Sequence, residues 1–244
     1  MAAHTLTIQN YHYLISHRVS FSTWSVLKRV KINNFYVEVV MNQEKCFAEV
    51  IESSLTSWLG QSWTWDTFPE FGSFVAIEGK KRTVFGIVHH VQTGSMDPVR
   101  YPFPYKKTEE ELLQEQPQIF EFLKTTFACI AIGYQEKKLI SYLIAPEPPK
   151  IHSFILCPSN EISKIFFSST NYLHLLFTHS AQIFNMDELM LALLRQHMEL
   201  NILTKNKMNS FMQTYSLLTG NDYRRIKLFL QRVEHMLGDS QSLL

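Results

Sequence analysis

A Gly-Lys pair is the arrangement in this sequence that comes nearest to a catalytic motif. It lies in the stretch FGSFVAIEGKKRTVFGIVHH, residues 71–90, at Gly79 and Lys80. A phosphate-binding loop has the pattern G-x-x-x-x-G-K-[ST] and opens a helix, because consecutive backbone N–H groups must surround the phosphates. Here Phe74 stands in place of the first Gly, Lys81 replaces the Ser or Thr that would hold magnesium, and β-branched residues follow. The stretch therefore predicts the turn of a hairpin between two strands.

Two further patterns suggest a metal site and a nucleophile, and neither is complete. His89 and His90 are adjacent, and adjacent side chains on a strand point to opposite faces, so the pair cannot bind one ion without a bulge. No second ligand pair follows at the spacing of a zinc site. Gly60-x-Ser62 resembles the start of a nucleophile elbow, but Thr64 replaces the second Gly that this motif requires. We therefore predict no catalytic residue, no metal ligand and no cofactor, and we expect the protein not to be an enzyme.

Two groups of side chains are suited to binding instead of catalysis. The first is a set of aromatic residues in the segment SSLTSWLGQSWTWDTF, which we place on a loop between strands: Trp58, Trp63, Trp65 and Phe68. Such residues either pack on the protein itself or contact a partner, and both alternatives stay open from the sequence. The second is a set of basic residues on the last predicted helix that could face phosphates: Arg224, Arg225, Lys227 and Arg232. Because Asp222 and Glu234 are close in sequence, a solvated helix face is the alternative.

The composition is that of an ordinary globular chain. The 244 residues suffice for one large domain or two small ones, and 45% hydrophobic with 18% charged residues argues against disorder. A net charge of +1 argues against binding driven mainly by charge to a nucleic acid. Three widely spaced cysteines without a C-x-x-C pair favour reduced thiols in the cytoplasm. Apolar runs shorter than the roughly 18 residues of a membrane span indicate no membrane contact.

The N-terminal segment, residues 1–44, has a composition of its own. Its first 37 residues contain no Asp or Glu. We predict an N-terminal arm that is disordered or not part of the native chain, and two other interpretations stay open. One is an organelle transit peptide, and the other is that translation starts at Met41.

Residues 45–157 show the pattern of short strands separated by turns. The strand-like segments are CFAEVIES, FGSFVAIEG, RTVFGIVHHV, KLISYLIA and KIHSFILC. Five short strands in about one hundred residues predict a small, closed or nearly closed β-barrel. A helical insertion is predicted over 108–126, because Thr108 and Glu111 form a capping-box pattern and Pro117 starts a second turn of helix.

The remainder, residues 158–244, is predicted to be mostly helical. Asn185 is placed to cap one helix, Gly220 to end the next and Asn221 to begin the last. The segment NYLHLLF is the one stretch in this region that we predict as a strand. The fold class is therefore α+β, a small β-barrel with a helical insertion followed by a mostly α-helical C-terminal region.

The segment from about 45 to 155 resembles the HAS-barrel, the small barrel shared by HerA-type DNA-translocating ATPases and rotary ATP synthase subunits. The resemblance is carried by CFAEVIESS, FGSFVAI, VFGIVHHVQTG, YPFPYKKTEEELLQEQPQIFEFLKTTF and GYQEKKLISYLIAPEPPKIHSFI. The chain looks most like stand-alone bacterial proteins that contain this barrel without an ATPase domain. In HerA-type proteins a RecA-like ATPase follows, whereas here the remaining residues contain no phosphate-binding loop. The resemblance therefore carries over no catalytic residue.

The function that this resemblance implies is a protein-interaction or assembly module, since the barrel lies at subunit or partner contacts in those motors. The partner is expected to be another protein or a second copy of the chain. The alternative is a nucleic-acid-associated accessory factor of a HerA-like DNA-processing system, which would use the basic residues of the last helix.

Overall fold

The computed structural model describes residues 27–32, 35–40, 46–97, 99 and 102–241. Two antiparallel strands, β1 (Leu27–Ile32) and β2 (Phe35–Val40), pair in a unit of their own, and the chain from residue 44 onward forms a second unit. The predictions of an N-terminal arm, a transit peptide and a translation start at Met41 concern residues 1–44. Apart from β1 and β2, these residues lie outside the part of the chain that the structure describes.

The second unit begins with a closed β-barrel. Its strands are β3 (Cys46–Ser53), β4 (Ser57–Ser62), β5 (Phe74–Glu78), β6 (Arg82–Ser95), β7 (Leu123–Glu136), β8 (Leu139–Ser141) and β9 (Phe154–Leu156). They are hydrogen-bonded in the order β4-β3-β9-β5-β6-β7-β8, and a further pairing of β4 with β7 closes six of them into a ring. All these pairings are antiparallel, and β8 extends β7 outside the ring. The predicted small barrel is therefore confirmed.

The helical insertion is shorter than predicted. It consists of α1 (Glu109–Glu115), which has the predicted capping box of Thr108 and Glu111, and α2 (Gln118–Glu121). The prediction extended it to residue 126, but β7 already begins at Leu123. The reason is tertiary pairing: β7 bonds to β6 along its length and to β4 over Thr126 to Ile130, so strand contacts override the helical pattern before it.

The segment that we predicted as an inter-strand loop contains a barrel strand, β4. Its burial alternates, with Trp58, Gly60 and Ser62 facing inward and their neighbours half-buried. The inward positions 60 and 62 are Gly and Ser, which are not large apolar residues. The sequence therefore lacks the alternation of apolar and polar residues that identifies a strand. This prediction was therefore wrong for residues 57–62.

The C-terminal region is helical, as predicted. Its helices are α3 (Asn160–Phe166), α4 (Tyr172–Thr178), α5 (Met186–Glu199), α6 (Lys205–Leu218) and α7 (Tyr223–Gln241), with a short 3-10 helix at Ser180–Gln182. The strand predicted at NYLHLLF is wrong, because this segment is α4. Tyr172, Leu173 and Leu176 lie on one side of a helix and are buried there. Burial of this helical face therefore outweighs the β-propensity of the individual residues.

Two apolar clusters hold the unit together. One fills the barrel, with residues such as Val50, Trp58 and Phe127 from its strands. The other lies on the outer face of β5, β6 and β7, where it is covered by α3 to α7. The barrel interior has room for Trp58 because the residue facing it is Gly86: a Cβ there would lie 2.2 Å from the Trp58 Cη2 atom.

Candidate interaction surface

The loop between β4 and β5, residues 63–73, carries most of the aromatic residues noted in the sequence. Its backbone is tied to the barrel at both ends, since Trp63 N–H donates to the Phe47 carbonyl (3.0 Å) and Gly72 N–H to the Val88 carbonyl (2.8 Å). In the middle, the Trp65 carbonyl accepts a hydrogen bond from the Thr125 hydroxyl. We call residues 63–73 the aromatic loop. These bonds give it a fixed shape, although it has no regular secondary structure.

Three side chains of the aromatic loop remain exposed to solvent. Trp63 is 48% exposed, Phe68 43% and Phe71 37%. Trp63 touches the barrel with an edge-to-face contact to Phe154, at 5.5 Å between ring centroids. Large apolar side chains gathered on one loop of fixed shape are typical of a surface that contacts another molecule.

The four predicted partner-binding residues separate into three groups. Trp63 and Phe68 are exposed. Trp65 is half-buried and stacks on Phe120 of α2 at 5.4 Å. Trp58 is 3% exposed and fills the barrel, so it is not available to a partner in the folded chain. Its placement on a loop was wrong, because it lies on the inward face of β4.

Sequence reasoning missed Phe71 as a member of this surface. The available signal was the spacing of Phe68 and Phe71 around Pro69, followed by Gly72. Gly72 has a φ of +85°, and a Cβ there would lie 2.6 Å from the Ala192 Cβ on α5. This close approach sets the loop against the helices, with Phe71 at the edge of the contact.

A groove runs from the aromatic loop between α5 and α7. Its volume is about 1130 Å³, and Phe71 lines the end nearest the loop. Arg195 of α5 donates to the Glu70 carboxylate at 2.9 Å and so links α5 to the loop. The exposed aromatic surface therefore continues into a groove whose charged rim is paired.

Two of the four basic residues of α7 named above form ion pairs with α5. Arg225 binds Asp187 of α5 through several hydrogen bonds, the shortest 2.6 Å, and Arg232 binds Glu188 at 2.6 Å. Partial burial would raise the pKa of Asp187, but the hydrogen bonds from Arg225 and Tyr215 hold that pKa below its ordinary value. Two of the four residues that could face phosphates, Arg225 and Arg232, are therefore paired with carboxylates of α5. Arg224 and Lys227 are exposed.

The motifs that suggested catalysis lie on strands of the barrel and in the turn between β5 and β6. Gly79 lies in the hairpin between β5 and β6, where its N–H donates to the Arg82 carbonyl at 2.8 Å. His89 is buried and His90 exposed, and the pairing of β6 with β7 has a bulge between Val88 and His90. Burial, with a smaller effect of His90, lowers the pKa of His89. Within the described ranges, no group of three or more His, Cys, Asp or Glu could hold a metal ion.

The three cysteines are free thiols. Burial raises the pKa of Cys129 well above its ordinary value and raises the pKa of Cys157; at Cys46 burial and the Glu78 carboxylate act together. These environments favour the protonated thiol over the nucleophilic thiolate.

No protein-family model matches the chain, and no curated protein matches it. Among the described helices, none is both long and apolar enough to cross a membrane.

Proposed function

We propose that this protein is a non-catalytic protein-interaction or assembly module built on a HAS-barrel-like β-barrel. The observation that carries the proposal is the aromatic loop, which presents Trp63, Phe68 and Phe71 to solvent from a backbone fixed by hydrogen bonds. The resemblance to HAS-barrels supports the same function, because in the motors that contain this barrel it lies at subunit or partner contacts.

A fixed aromatic loop suits a protein contact for two reasons. Trp and other large aromatic side chains dominate the binding energy of protein interfaces when they enter a pocket of the partner. A flexible loop loses conformational entropy when it binds, and this loss lowers the affinity. The loss is small when the loop is already held in place before binding. Trp63 against Phe154, and Trp65 on Phe120, hold the loop in this way before any partner arrives.

The alternative, a nucleic-acid-associated accessory factor, draws less support from the charges. Two of its four candidate contacts, Arg225 and Arg232, are occupied by Asp187 and Glu188. A phosphate would have to displace these carboxylates. The aromatic loop itself contains Asp66 and Glu70 and no basic residue, which opposes contact with a polyanion.

The experiment is site-specific photo-crosslinking in the native cell. A photoreactive phenylalanine analogue replaces Phe68 in one variant and Leu217 in a control variant. Leu217 is 70% exposed on α6 and lies outside the aromatic loop, so it reports chance encounters. We expect a discrete protein adduct from position 68 that is missing from position 217. The mass of the adduct tells a second copy of this chain from a different protein.

A second variant ties the adduct to the surface. Trp63→Ala in the position-68 background should reduce the adduct about fivefold or more, since an interface aromatic contributes more than 1 kcal/mol when it anchors a contact. When a cell lysate is irradiated at high salt, the yield of the protein adduct should stay the same, whereas contact with nucleic acid falls steeply as salt rises. Equal adducts from positions 68 and 217, or adducts with nucleic acid alone, would refute the proposed function.

A further inference from the structure

A second cavity lies on the outer wall of the barrel and shares no residue with the aromatic loop. Its volume is about 350 Å³, within the size range of small-molecule sites. Its wall crosses four neighbouring strands in the order β3, β4, β7 and β6. Gln182 of the short 3-10 helix also lines it, so the cavity lies where the barrel meets the helical region.

The strand pairing determines which side chains form the wall of this cavity. Glu52 pairs with Leu59, and Leu59 pairs with Ala128, so the three residues stand in one row across β3, β4 and β7. Residues directly opposite one another on antiparallel strands point to the same face of the sheet. The neighbouring pair, Trp58 and Cys129, points into the barrel. The row therefore lies on the outer face, with a carboxylate at one end and an apolar floor beside it.

The other end of the row is His89 of β6. Ala128 pairs with His90, and the bulge between Val88 and His90 inserts His89 beside this pair. Such bulges re-aim a side chain and are over-represented next to active sites. His89 is only 9% exposed, and no hydrogen bond joins its ring to any other described residue. Its ring nitrogens are not sealed off as the Trp58 indole nitrogen is, so a molecule in the cavity can reach them.

The cavity has a negative charge at one end and a neutral ring at the other. Glu52 is exposed and makes no ion pair within the described part of the chain. No Lys or Arg is among the described residues that line the cavity. Burial, and to a smaller extent His90, lower the pKa of His89, so its ring is neutral at pH 7.5 and offers one donor and one acceptor nitrogen. The lining therefore favours a ligand with a positive charge at one end and an uncharged hydrogen-bonding group at the other.

The spacing of the strands sets the length of such a ligand. Neighbouring strands lie about 4.7–4.9 Å apart, so β3 and β6 are separated by roughly 14 Å along the wall. The side chains of Glu52 and His89 take up part of this distance and leave a gap of roughly 6–8 Å for a ligand.

We propose that this cavity binds a small organic cation in which a short apolar body separates an ammonium group from an uncharged polar group. The ammonium group donates to the Glu52 carboxylate, and the uncharged group forms a hydrogen bond with the His89 ring. The apolar body packs on Leu59 and Ala128. This site is independent of the partner surface on the aromatic loop.

Three probes that share a benzene ring test the proposal. 4-(Hydroxymethyl)benzylamine has both polar groups, benzylamine lacks the hydroxyl group, and 1,4-benzenedimethanol lacks the charge. Their affinities are measured by titration calorimetry with the full chain at pH 7.5 and constant ionic strength. We expect the first probe to bind saturably and at least fivefold more tightly than either of the others, because each of these lacks one of the two groups that the cavity recognises.

Two variants assign the two ends of the probe to their residues. Glu52→Gln should weaken binding of 4-(hydroxymethyl)benzylamine about fivefold. Glu147→Gln removes the same charge at an exposed position that does not line the cavity, and it should leave binding unchanged. His89→Phe should bind 4-(hydroxymethyl)benzylamine and benzylamine equally, because the partner of the hydroxyl group is gone.

A further measurement locates the probe in the unaltered chain. The ring ¹⁵N signals of His89 should shift as 4-(hydroxymethyl)benzylamine saturates the protein, while those of the exposed His152, which does not line the cavity, should not. The proposal is wrong if the three probes bind equally, if the two Glu variants lose affinity equally, or if the His89 signals do not respond.

Discussion

The buried imidazole of His197 makes the stability of the fold depend on pH in a way that can be calculated. Its pKa is about 4 in the folded chain, lowered by burial and by Lys207, whereas an unperturbed His titrates near 6.5. Tyr172 also faces this ring and stays neutral. Above about pH 6.5 both states are neutral at this residue, and it adds no pH dependence.

Below about pH 6.5 the unfolded chain takes up a proton at residue 197 and the folded chain does not. The free energy of unfolding therefore falls by about 1.4 kcal/mol per pH unit until the folded residue also titrates near pH 4. Over this window the loss is about 3 kcal/mol. Carboxylates titrate in the same range, so the total loss in the wild type does not measure His197 by itself.

The control is His197→Gln, which keeps a polar side chain of similar length and cannot take up the proton. Urea unfolding of both proteins at pH 7.5, 6, 5 and 4 gives the difference in free energy of unfolding at each pH. We expect this difference to change by about 3 kcal/mol between pH 7.5 and 4, in favour of the variant at low pH. A difference that stays constant over this range would refute the buried, neutral state of His197.

Three further changes test the barrel and the helix contacts. Trp58→Ala should reduce the free energy of unfolding by about 3–5 kcal/mol in urea titrations, because it leaves a cavity inside the barrel. Trp63→Ala should reduce it by less than about 1.5 kcal/mol, because this ring is half exposed. Equal losses would contradict the different burial of the two rings. Gly86→Ala should destabilise the barrel by about 1–3 kcal/mol, because the added methyl group clashes with the Trp58 ring. The same change should cost less in a Trp58→Phe background. An equal cost in both backgrounds would show that the Trp58 ring does not cause the destabilisation. Asp187→Asn should lower the melting temperature by an amount equivalent to about 1 kcal/mol, because it breaks the partly exposed pair with Arg225, and an unchanged melting temperature at low salt would contradict a stabilising pair.

Patterns that depend on local chemistry were predictable from the sequence. The hairpin at Gly79, the capping box at Thr108 and the helix that begins after Asn185 were all confirmed, because a turn residue or a cap acts on its own neighbours. The helical character of the C-terminal region followed from its period. Each of these features is encoded within a few residues.

The features that sequence reasoning missed depend on distant contacts. The sequence around Trp58 contains Gly60 and Ser62 at inward positions, and only the neighbouring strands β3 and β7 make it a strand. In the same way, Arg225 and Arg232 form ion pairs with Asp187 and Glu188, because the fold places α5 beside α7. A cavity at His197 combines residues from α4, α5 and α6 and from the segments that precede α4 and α6, so no short motif marks it.

The order of strands in the barrel has a consequence for how the chain folds. β3 and β9 are neighbours, and Glu49 and His152, which interact beside this pairing, lie 103 positions apart in the sequence. Closing so long a loop has a large entropic penalty, so contacts of this kind form late. The hairpin of β5 and β6 is local and needs no such closure. Until β9 arrives, the nascent sheet has two open edges, and a growing chain would pass through a stage in which these edges can pair with other molecules.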